Sequence, residues 1–144
     1  MRVRSLLAGA VVTSLALGGC GGSDGSPRQS ASAGPAAKTI SGQIRYAGTA
    51  LDGHKIIVVA VRAGSSGEPG YSTTLSGLGA YVLNNVADGS YTVSAFIDLG
   101  DDMGPPQAAE PLGWYDTGGD GTADEVVVAD GSPAAGVDIE IVDR

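Results

Sequence analysis

Residues 79–97 read GAYVLNNVADGSYTVSAFI, and they give the clearest structural pattern in this chain of 144 residues. Apolar and polar side chains alternate at Tyr81 and Leu83, and again from Tyr91 to Ile97. Alternation with a period of two is typical of a strand that buries one face and exposes the other. Asp88-Gly89 lies between the two runs and predicts a tight hairpin turn, because both residues tolerate positive φ. The stretch therefore predicts a β-hairpin.

The same alternation recurs along the rest of the chain. Three more Asp-Gly pairs, at residues 52–53, 120–121 and 130–131, separate apolar runs and predict turns of the same kind. The segment from His54 to Ala63 is apolar on both faces, which predicts a central strand covered on both sides. The other predicted strands lie at residues 40–46, 71–76, 81–83, 91–97, 125–129 and 137–141. Together they predict an all-β domain over residues 39–144, an antiparallel β-sandwich of about seven strands in two sheets.

Several short motifs in this domain combine glycine and tyrosine at fixed spacing. They read Gly79-x-Tyr81-x-Leu83, Gly89-x-Tyr91-x-Val93, Ser41-Gly42-x-Ile44-x-Tyr46, Phe96-Ile97-Asp98 and Glu110-Pro111-x-Gly113-x-Tyr115. This set resembles the carboxypeptidase regulatory-like family, whose domains are prealbumin-like (transthyretin-like) or immunoglobulin-like β-sandwiches. The resemblance implies a non-catalytic module in which Tyr91 packs at a corner, and some relatives in this family bind carbohydrate.

The only cysteine of the chain, Cys20, ends the run Leu15-Ala16-Leu17-Gly18-Gly19-Cys20. This run resembles a bacterial lipobox, with an aliphatic residue three positions before the cysteine and two small residues between them. Arg2 and Arg4 precede an apolar stretch, Leu6–Leu17, that is too short to span a bilayer, because a span needs about 20 apolar residues. We therefore expect residues 1–19 to be a lipoprotein signal peptide and Cys20 to carry the lipid. The alternative is ordinary cleavage that leaves a free thiol.

Lipidation at Cys20 predicts where the mature protein resides. Several acyl chains anchor a protein far more firmly than one chain does, because each buried methylene contributes about 0.8 kcal/mol. The expected location is the cell membrane or the outer membrane, with the domain on the extracytoplasmic side. Residues 20–38 are rich in Gly, Ser and Ala and hold almost no large apolar side chain, so we expect a disordered tether there.

Charge is distributed unevenly in the chain, whose net charge is −8. No Lys or Arg occurs from Ala63 to Asp143, which argues against nucleic acid as a partner because phosphate binding needs basic side chains. Nine carboxylates fall between Asp98 and Asp130, and hard oxygen ligands at this density on a loop favour Ca²⁺ over Mg²⁺ or Zn²⁺. The candidate ligands for a weak Ca²⁺ site are Asp98, Asp101, Asp102, Glu110, Asp116, Asp120 and Asp124. The alternative is an acidic, solvated loop that keeps the protein soluble.

Two neighbouring aromatic residues, Trp114 and Tyr115, lie among these carboxylates and are candidates for stacking on a sugar ring. The alternative is that both residues pack against the end of the sandwich. His54 is the only histidine and the sequence offers no convincing nucleophile for it, so the residues predict no catalytic triad and no enzyme.

These observations predict a non-catalytic cell-envelope lipoprotein that displays a β-sandwich binding module. The expected partners are the membrane, through the lipid anchor, and either a glycan or an envelope protein. Ca²⁺ is the one cofactor that the sequence suggests. The alternative is a structural or assembly component of an envelope complex that binds no small ligand.

Overall fold

The computed structural model describes residues 38–66 and 69–144. The predicted signal peptide, Cys20 and the tether up to residue 37 lie outside the described residues. Eight β-strands and no helix occur in the described residues. Accordingly, this part of the chain has no helix long and apolar enough to cross a membrane. The strands are β1 (Ile40–Tyr46), β2 (Lys55–Arg62), β3 (Tyr71–Leu75), β4 (Gly79–Leu83), β5 (Gly89–Asp98), β6 (Leu112–Trp114), β7 (Glu125–Val128) and β8 (Ile139–Ile141).

The strands form two sheets that enclose one core. The smaller sheet has the order β4-β1-β8, and the larger has the order β3-β2-β5-β6, with β7 also paired to β5. β1 contributes Ile40 and Ile44 to the core, and the larger sheet contributes Ile56 from β2 and Val93 from β5. All four side chains are at most 2 % exposed. The predicted all-β domain with two sheets is confirmed.

Two features of the sheets differ from the expected arrangement. β1 and β8 run parallel, with Ile44 opposite Ile139, so the prediction of antiparallel pairing is wrong for this pair. Parallel neighbours need a long connection, and here residues 47–138 between the two strands provide it. The structure also has one strand more than the seven predicted. The additional strand is β6, which shows no alternation because it has only three residues with a glycine, Gly113, at its centre.

Asp52-Gly53 and Asp130-Gly131 lie in turns, and the chain bends at Asp88 and at Asp120-Gly121. None of the four pairs closes a hairpin, so that prediction is wrong. Asp52-Gly53, Asp88-Gly89 and Asp130-Gly131 lie where the chain passes from one sheet to the other. Asp120-Gly121 connects β6 to β7, and these strands both pair with β5 instead of with each other. Among the four pairs, only Asp130-Gly131 has positive φ at both residues, 54° and 73°, as a type I′ turn requires.

Tyr91 fixes the corner where the chain enters β5. Its side chain is 1 % exposed, and its hydroxyl donates to the carbonyl of Ala87 at 2.9 Å. The ring of Tyr71 packs edge-on against that of Tyr91, with the ring centroids 5.8 Å apart, and the Tyr71 hydroxyl accepts the N–H of Ala87. Val93 is also fully buried. The expected inward orientation of Tyr91 and Val93 is therefore confirmed.

β6 and β8 join the two sheets along one edge. Leu112 and Val142 exchange backbone hydrogen bonds at 3.1 and 3.2 Å. Gly113, the next residue, faces the backbone of β8. A Cβ atom at this position would lie 2.1 Å from the carbonyl oxygen of Glu140, far inside van der Waals contact. Glycine is required here because the obstructing atom belongs to a backbone that the neighbouring hydrogen bonds hold in place.

We predict that Gly113→Ala destabilises the domain. The added methyl group must displace the β8 backbone, and overpacking of this kind typically costs about 1–3 kcal/mol. Gly77→Ala is the matched control, because a Cβ at residue 77 meets no atom within 4 Å. The control should leave the melting temperature unchanged or slightly higher, since alanine reduces the entropy of the unfolded chain. Thermal unfolding compares the variants, and equal melting temperatures would contradict the close approach of β6 and β8.

Candidate functional site

The outer face of the larger sheet carries a second apolar cluster. Ile57, Phe96 and Leu112 are adjacent in register on β2, β5 and β6, and they are at most 9 % exposed. They point away from the main core because their strand neighbours, such as Ile56 and Ile97, point into it. The prediction that β2 is an interior strand is confirmed, but the expected cover on both sides is incomplete, because Val59 and Val61 on the outer face are only partly buried.

The loop between β5 and β6, residues 99–111, forms a groove with this face. The groove, called the outer groove below, has a volume of about 580 Å³. Its floor comes from β2, β3 and β5, and the Met103–Pro106 segment of the loop is one wall. Pockets that hold ligands typically measure about 300–1,000 Å³. The lining residues are Ile57, Val59, Val61, Pro69, Ser72, Thr74, Ser94, Phe96, Met103, Gly104, Pro105 and Pro106.

Two buried carboxylates, Asp98 and Glu110, hold this loop in place, and their exposed fractions are 0 % and 3 %. Glu110 accepts the backbone N–H groups of Leu99 and Gln107 at 3.0 and 2.8 Å. Each oxygen of Glu110 thus has its own backbone donor. A charged acceptor strengthens these hydrogen bonds, and burial makes each of them costly to break.

Asp98 has the same role at the start of the loop. Its two oxygens accept the N–H groups of Asp102 and Met103 at 3.3 and 2.9 Å. Asp101 and Met103 have φ of 51° and 53°, in the left-handed region that residues other than glycine seldom occupy. The Met103 side chain is nonetheless 61 % exposed, on the wall of the outer groove. The loop therefore holds an apolar side chain in solvent at a strained position, a combination found at functional sites.

Three other carboxylates shape the loop between β6 and β7. Asp116 accepts two glycine N–H groups, at 2.6 and 2.8 Å. Asp120 accepts the hydroxyl and the N–H of Thr122, and Asp124 accepts those of Thr117. These hydrogen bonds lower the pKa of Asp120 and the pKa of Asp124, because they stabilise the ionised carboxylate. The loop is therefore organised by side-chain acceptors of its own.

The seven carboxylates predicted to bind Ca²⁺ fall into two loops, residues 98–110 and 116–124. In the described part of the chain, no three Asp, Glu, His or Cys side chains are placed to hold one metal ion. Six of the seven accept hydrogen bonds from their own loops: Asp98, Asp102, Glu110, Asp116, Asp120 and Asp124. The alternative of a fully solvated acidic loop is wrong for Asp98 and Glu110, which are buried. Calcium binding stays a prediction.

The structure separates the two aromatic residues predicted to bind a ligand. Tyr115 is partly buried and packs against the main core. Trp114 is partly exposed, pairs in register with Ser94, and packs against the second apolar cluster on the outer face. It lines an open cleft of about 390 Å³, called the Trp114 cleft below. The other lining residues are Arg45, Leu112, Gly113, Asp116, Gly119, Gly121, Asp138, Ile139, Glu140 and Val142.

Charged groups in the Trp114 cleft are mostly acidic. Arg45 forms an ion pair with Asp138 at 3.3 Å, so these two charges largely offset each other. Asp116 and Glu140 leave the cleft with an excess of negative charge. An indole ring beside carboxylates and a guanidinium group suits a polar ligand that has one flat apolar face.

Sequence reasoning missed the outer groove, whose wall lies in the segment predicted to be an acidic loop. The available signal was in β2, where Ile57, Val59 and Val61 form an apolar row on the face away from the main core. A strand with a second apolar face needs a cover, and Pro105-Pro106 provides part of it. Local patterns do not specify this cover, because the contact joins segments that are distant in the chain.

Comparisons with protein-family profiles, with curated proteins and with solved structures give no significant match for this chain.

We predict that Glu110→Gln loosens the wall of the outer groove. The amide presents an NH₂ group to one of the two backbone donors and leaves a buried N–H unpaired, at a cost of about 1–3 kcal/mol. Glu125→Gln is the control, because Glu125 is exposed on β7. The measurement is amide hydrogen exchange at Leu99 and Gln107, together with thermal unfolding. Unchanged protection at both amides would show that the Glu110 carboxylate does not hold the loop.

Proposed function

We propose that this chain is a non-catalytic, lipid-anchored binding module of a bacterial cell envelope, and that it binds a glycan in the Trp114 cleft. The observation that carries the proposal is the partly exposed indole of Trp114 in an open cleft lined by one arginine and three carboxylates. A sugar ring presents an apolar face of C–H groups and an edge of hydroxyl groups. The aromatic ring and the charged hydrogen-bonding groups complement these two features.

The dimensions of the cleft suit a short stretch of a polysaccharide. Its volume of about 390 Å³ lies at the lower end of the range for ligand pockets, about 300–1,000 Å³. Gly119 and Gly121 line part of the cleft without side chains, so a chain of sugar units can continue past them. The Arg45 side chain is 69 % exposed and offers donors, while Asp138 and Glu140 offer acceptors.

Charge in the cleft favours a neutral or amine-bearing glycan over an acidic one. Because Arg45 is paired with Asp138, the carboxylates of Asp116 and Glu140 are not balanced by a cation in the cleft. The chain as a whole also carries a net charge of −8. Polysaccharides rich in sulfate or uronic acid are therefore repelled, most strongly at low ionic strength.

The anchored location rests on the lipobox-like run that ends at Cys20 and on the Gly- and Ser-rich residues that follow it. A lipid at Cys20 keeps the module at the membrane surface, and a tether of this composition lets the module reach glycans nearby. The envelope is accordingly the compartment in which a glycan ligand is expected.

The finer fold assignment belongs to the same proposal: we infer a sandwich of the carboxypeptidase regulatory-like, prealbumin-like type. Support comes from the corner of Tyr91, whose hydroxyl donates to the carbonyl of Ala87 four residues earlier. The Gly-x-Tyr spacing at residues 79–81 and 89–91 supports the same assignment. The resemblance implies a module without catalytic chemistry.

The non-catalytic role is what the family resemblance implies, and the positions of His54 and of the two buried acids fit it. His54 lines neither cavity and has its Nδ1 3.8 Å from a carboxylate oxygen of Asp101. In the buried acids Asp98 and Glu110, each carboxylate oxygen accepts a backbone N–H group, so these carboxylates hold the loop.

A structural role without a small ligand is the second candidate, and one feature of the smaller sheet favours it. β4 is an edge strand that pairs only with β1 among the described strands. Val82 on β4 and Leu78 just before it are 44 % and 47 % exposed. An edge strand with exposed apolar side chains is suited to pairing with a strand of another protein.

We expect the mature chain to begin at Cys20 and to carry acyl chains, and we expect Cys20→Ser to lack them. The thioether bond to the lipid requires the sulfur atom, which serine does not provide. The measurement is intact mass spectrometry after expression in a bacterial host, combined with incorporation of labelled palmitate. Ser23→Ala is the control and should be acylated like the wild type. A wild-type chain recovered without acyl mass would contradict the anchor.

We predict that Trp114→Ala lowers the affinity for the bound glycan by about tenfold or more, because the stacking surface is lost. Trp114→Phe should retain part of the affinity, since a smaller aromatic ring remains. Isothermal titration against neutral, amine-bearing and acidic oligosaccharides measures the affinity. Acidic oligosaccharides should bind most weakly.

Met103→Ser is the matched control for the glycan experiment, because Met103 lines the outer groove and not the Trp114 cleft. This variant should bind the glycan like the wild type. Thermal unfolding of each variant separates loss of binding from loss of fold. Equal glycan affinity in the wild type and Trp114→Ala, or no binding to any oligosaccharide, would contradict the glycan role and favour the structural one.

A further inference from the structure

We propose that the outer groove docks an apolar segment of an envelope protein, and that basic residues flank this segment in the partner. The site is distinct from the Trp114 cleft, because the two cavities share no lining residue. The proposal rests on the apolar floor of the groove, on its exposed methionine and on the charge of the surface around it.

The floor of the groove is apolar across two strands. Ile57, Val59 and Val61 project from β2 and Phe96 projects from β5, all on the face away from the main core. Three Ser or Thr hydroxyl groups on β3 and β5 border this floor, and among residues 38–66 and 69–144 no charged side chain lines the groove. Ile57 and Phe96 are already buried, whereas Val59 and Val61 are only partly buried and leave apolar surface that a partner can cover. The hydroxyl groups can pair with the polar backbone of a peptide.

The wall of the groove is suited to contact with another protein. Met103 is 61 % exposed, and its unbranched thioether side chain adapts to side chains of different shapes. The hydrogen bond from the Met103 N–H to Asp98, at 2.9 Å, fixes the backbone so that this side chain stays at the rim. Pro105 and Pro106 make the rest of the wall stiff. The exposed Met103 and the partly buried Val59 and Val61 form a continuous apolar surface, and such surfaces commonly mark interaction sites.

Charge determines the expected flanks of the partner. The described residues include 5 Lys or Arg and 14 Asp or Glu, which gives a net charge of 5 − 14 = −9. Asp101 and Asp102 are exposed beside Met103 at the rim, and Lys55 is the basic residue in the same row of β2 as Ile57. A segment with basic flanks is attracted and oriented by this field. A neutral apolar molecule gains nothing from the field, so we assign the groove to a protein segment.

The test uses the mature chain in phosphatidylcholine vesicles, and it rests on the proposed function only in taking that chain to begin at a lipidated Cys20. The probes are three synthetic peptides without tryptophan, which share a Leu- and Val-rich centre and carry Lys, Ser or Glu flanks. Trp114 is the only tryptophan and lies next to Ser94 of the groove floor, so its fluorescence reports binding. Vesicles without protein give the blank. We expect the Lys-flanked peptide to bind about tenfold more tightly than the Glu-flanked one, with a smaller difference at high salt.

Two variants and one control locate the binding. Ser72→Phe fills the groove beside Val59 and is expected to weaken binding of the Lys-flanked peptide by about tenfold. Met103→Ser removes an exposed side chain without filling the groove and should also weaken binding. Val82→Ser removes an exposed apolar side chain from the smaller sheet and should bind like the wild type. Because Met103 is exposed, its variant is expected to fold even where Ser72→Phe does not.

Each contrary result overturns the proposal. Equal affinity for the Lys-flanked and Glu-flanked peptides would contradict the proposal that basic flanks guide the partner to the groove. Unchanged binding in Ser72→Phe and Met103→Ser locates the peptide outside the groove. Absence of peptide binding, with or without binding of the neutral dye N-phenyl-1-naphthylamine, excludes a protein segment as the occupant. Dye binding alone would assign the groove to a small apolar molecule.

Discussion

The burial of Asp98 and Glu110 is the constraint on which the outer face of the larger sheet depends. Two carboxylates removed from water are costly unless each oxygen has a donor, and the N–H groups of one loop supply all four hydrogen bonds. The dependence is mutual, because the strained backbone at Met103 is held by the same hydrogen bonds. The loop then leads directly into β6, so one set of contacts shapes the wall of the outer groove and positions Trp114.

β6 connects the loop to both sheets of the domain. With three residues it has few hydrogen bonds of its own, yet it pairs with β5 on one side and bridges to β8 on the other. Gly113 permits the second contact, because only a residue without a side chain lets the Glu140 carbonyl approach so closely. The sandwich is closed along this edge, and the Trp114 cleft lies where β6 and β8 meet. The close approach of β6 and β8 at Gly113 therefore both closes this edge of the sandwich and forms part of the Trp114 cleft.

Local periodicity predicted most of the strands but not their partners. Seven of the eight strands were predicted, β2 from its apolar residues on both faces and the others from short strand-like segments, and alternation also gave the inward orientation of Tyr91. The chain bends at Asp88 just before β5, yet β4 and β5 lie in different sheets, because a local bend does not determine which strands pair. The carboxylates of residues 98–124 stood out in composition. Composition does not distinguish an acceptor for Ca²⁺ from an acceptor for a backbone N–H, since that difference depends on burial by distant segments.

The described part of the chain begins beside the smaller sheet. Lys38, the first described residue, forms an ion pair with Asp88 at 2.5 Å, and its carbonyl accepts the N–H of Val86. These contacts place the entry beside the start of β1, in the smaller sheet. The outer groove lies on the far face of the larger sheet, with the core between them. If the proposed lipid anchor holds the chain from this side, the outer groove faces the other way, so the two proposed roles use different surfaces.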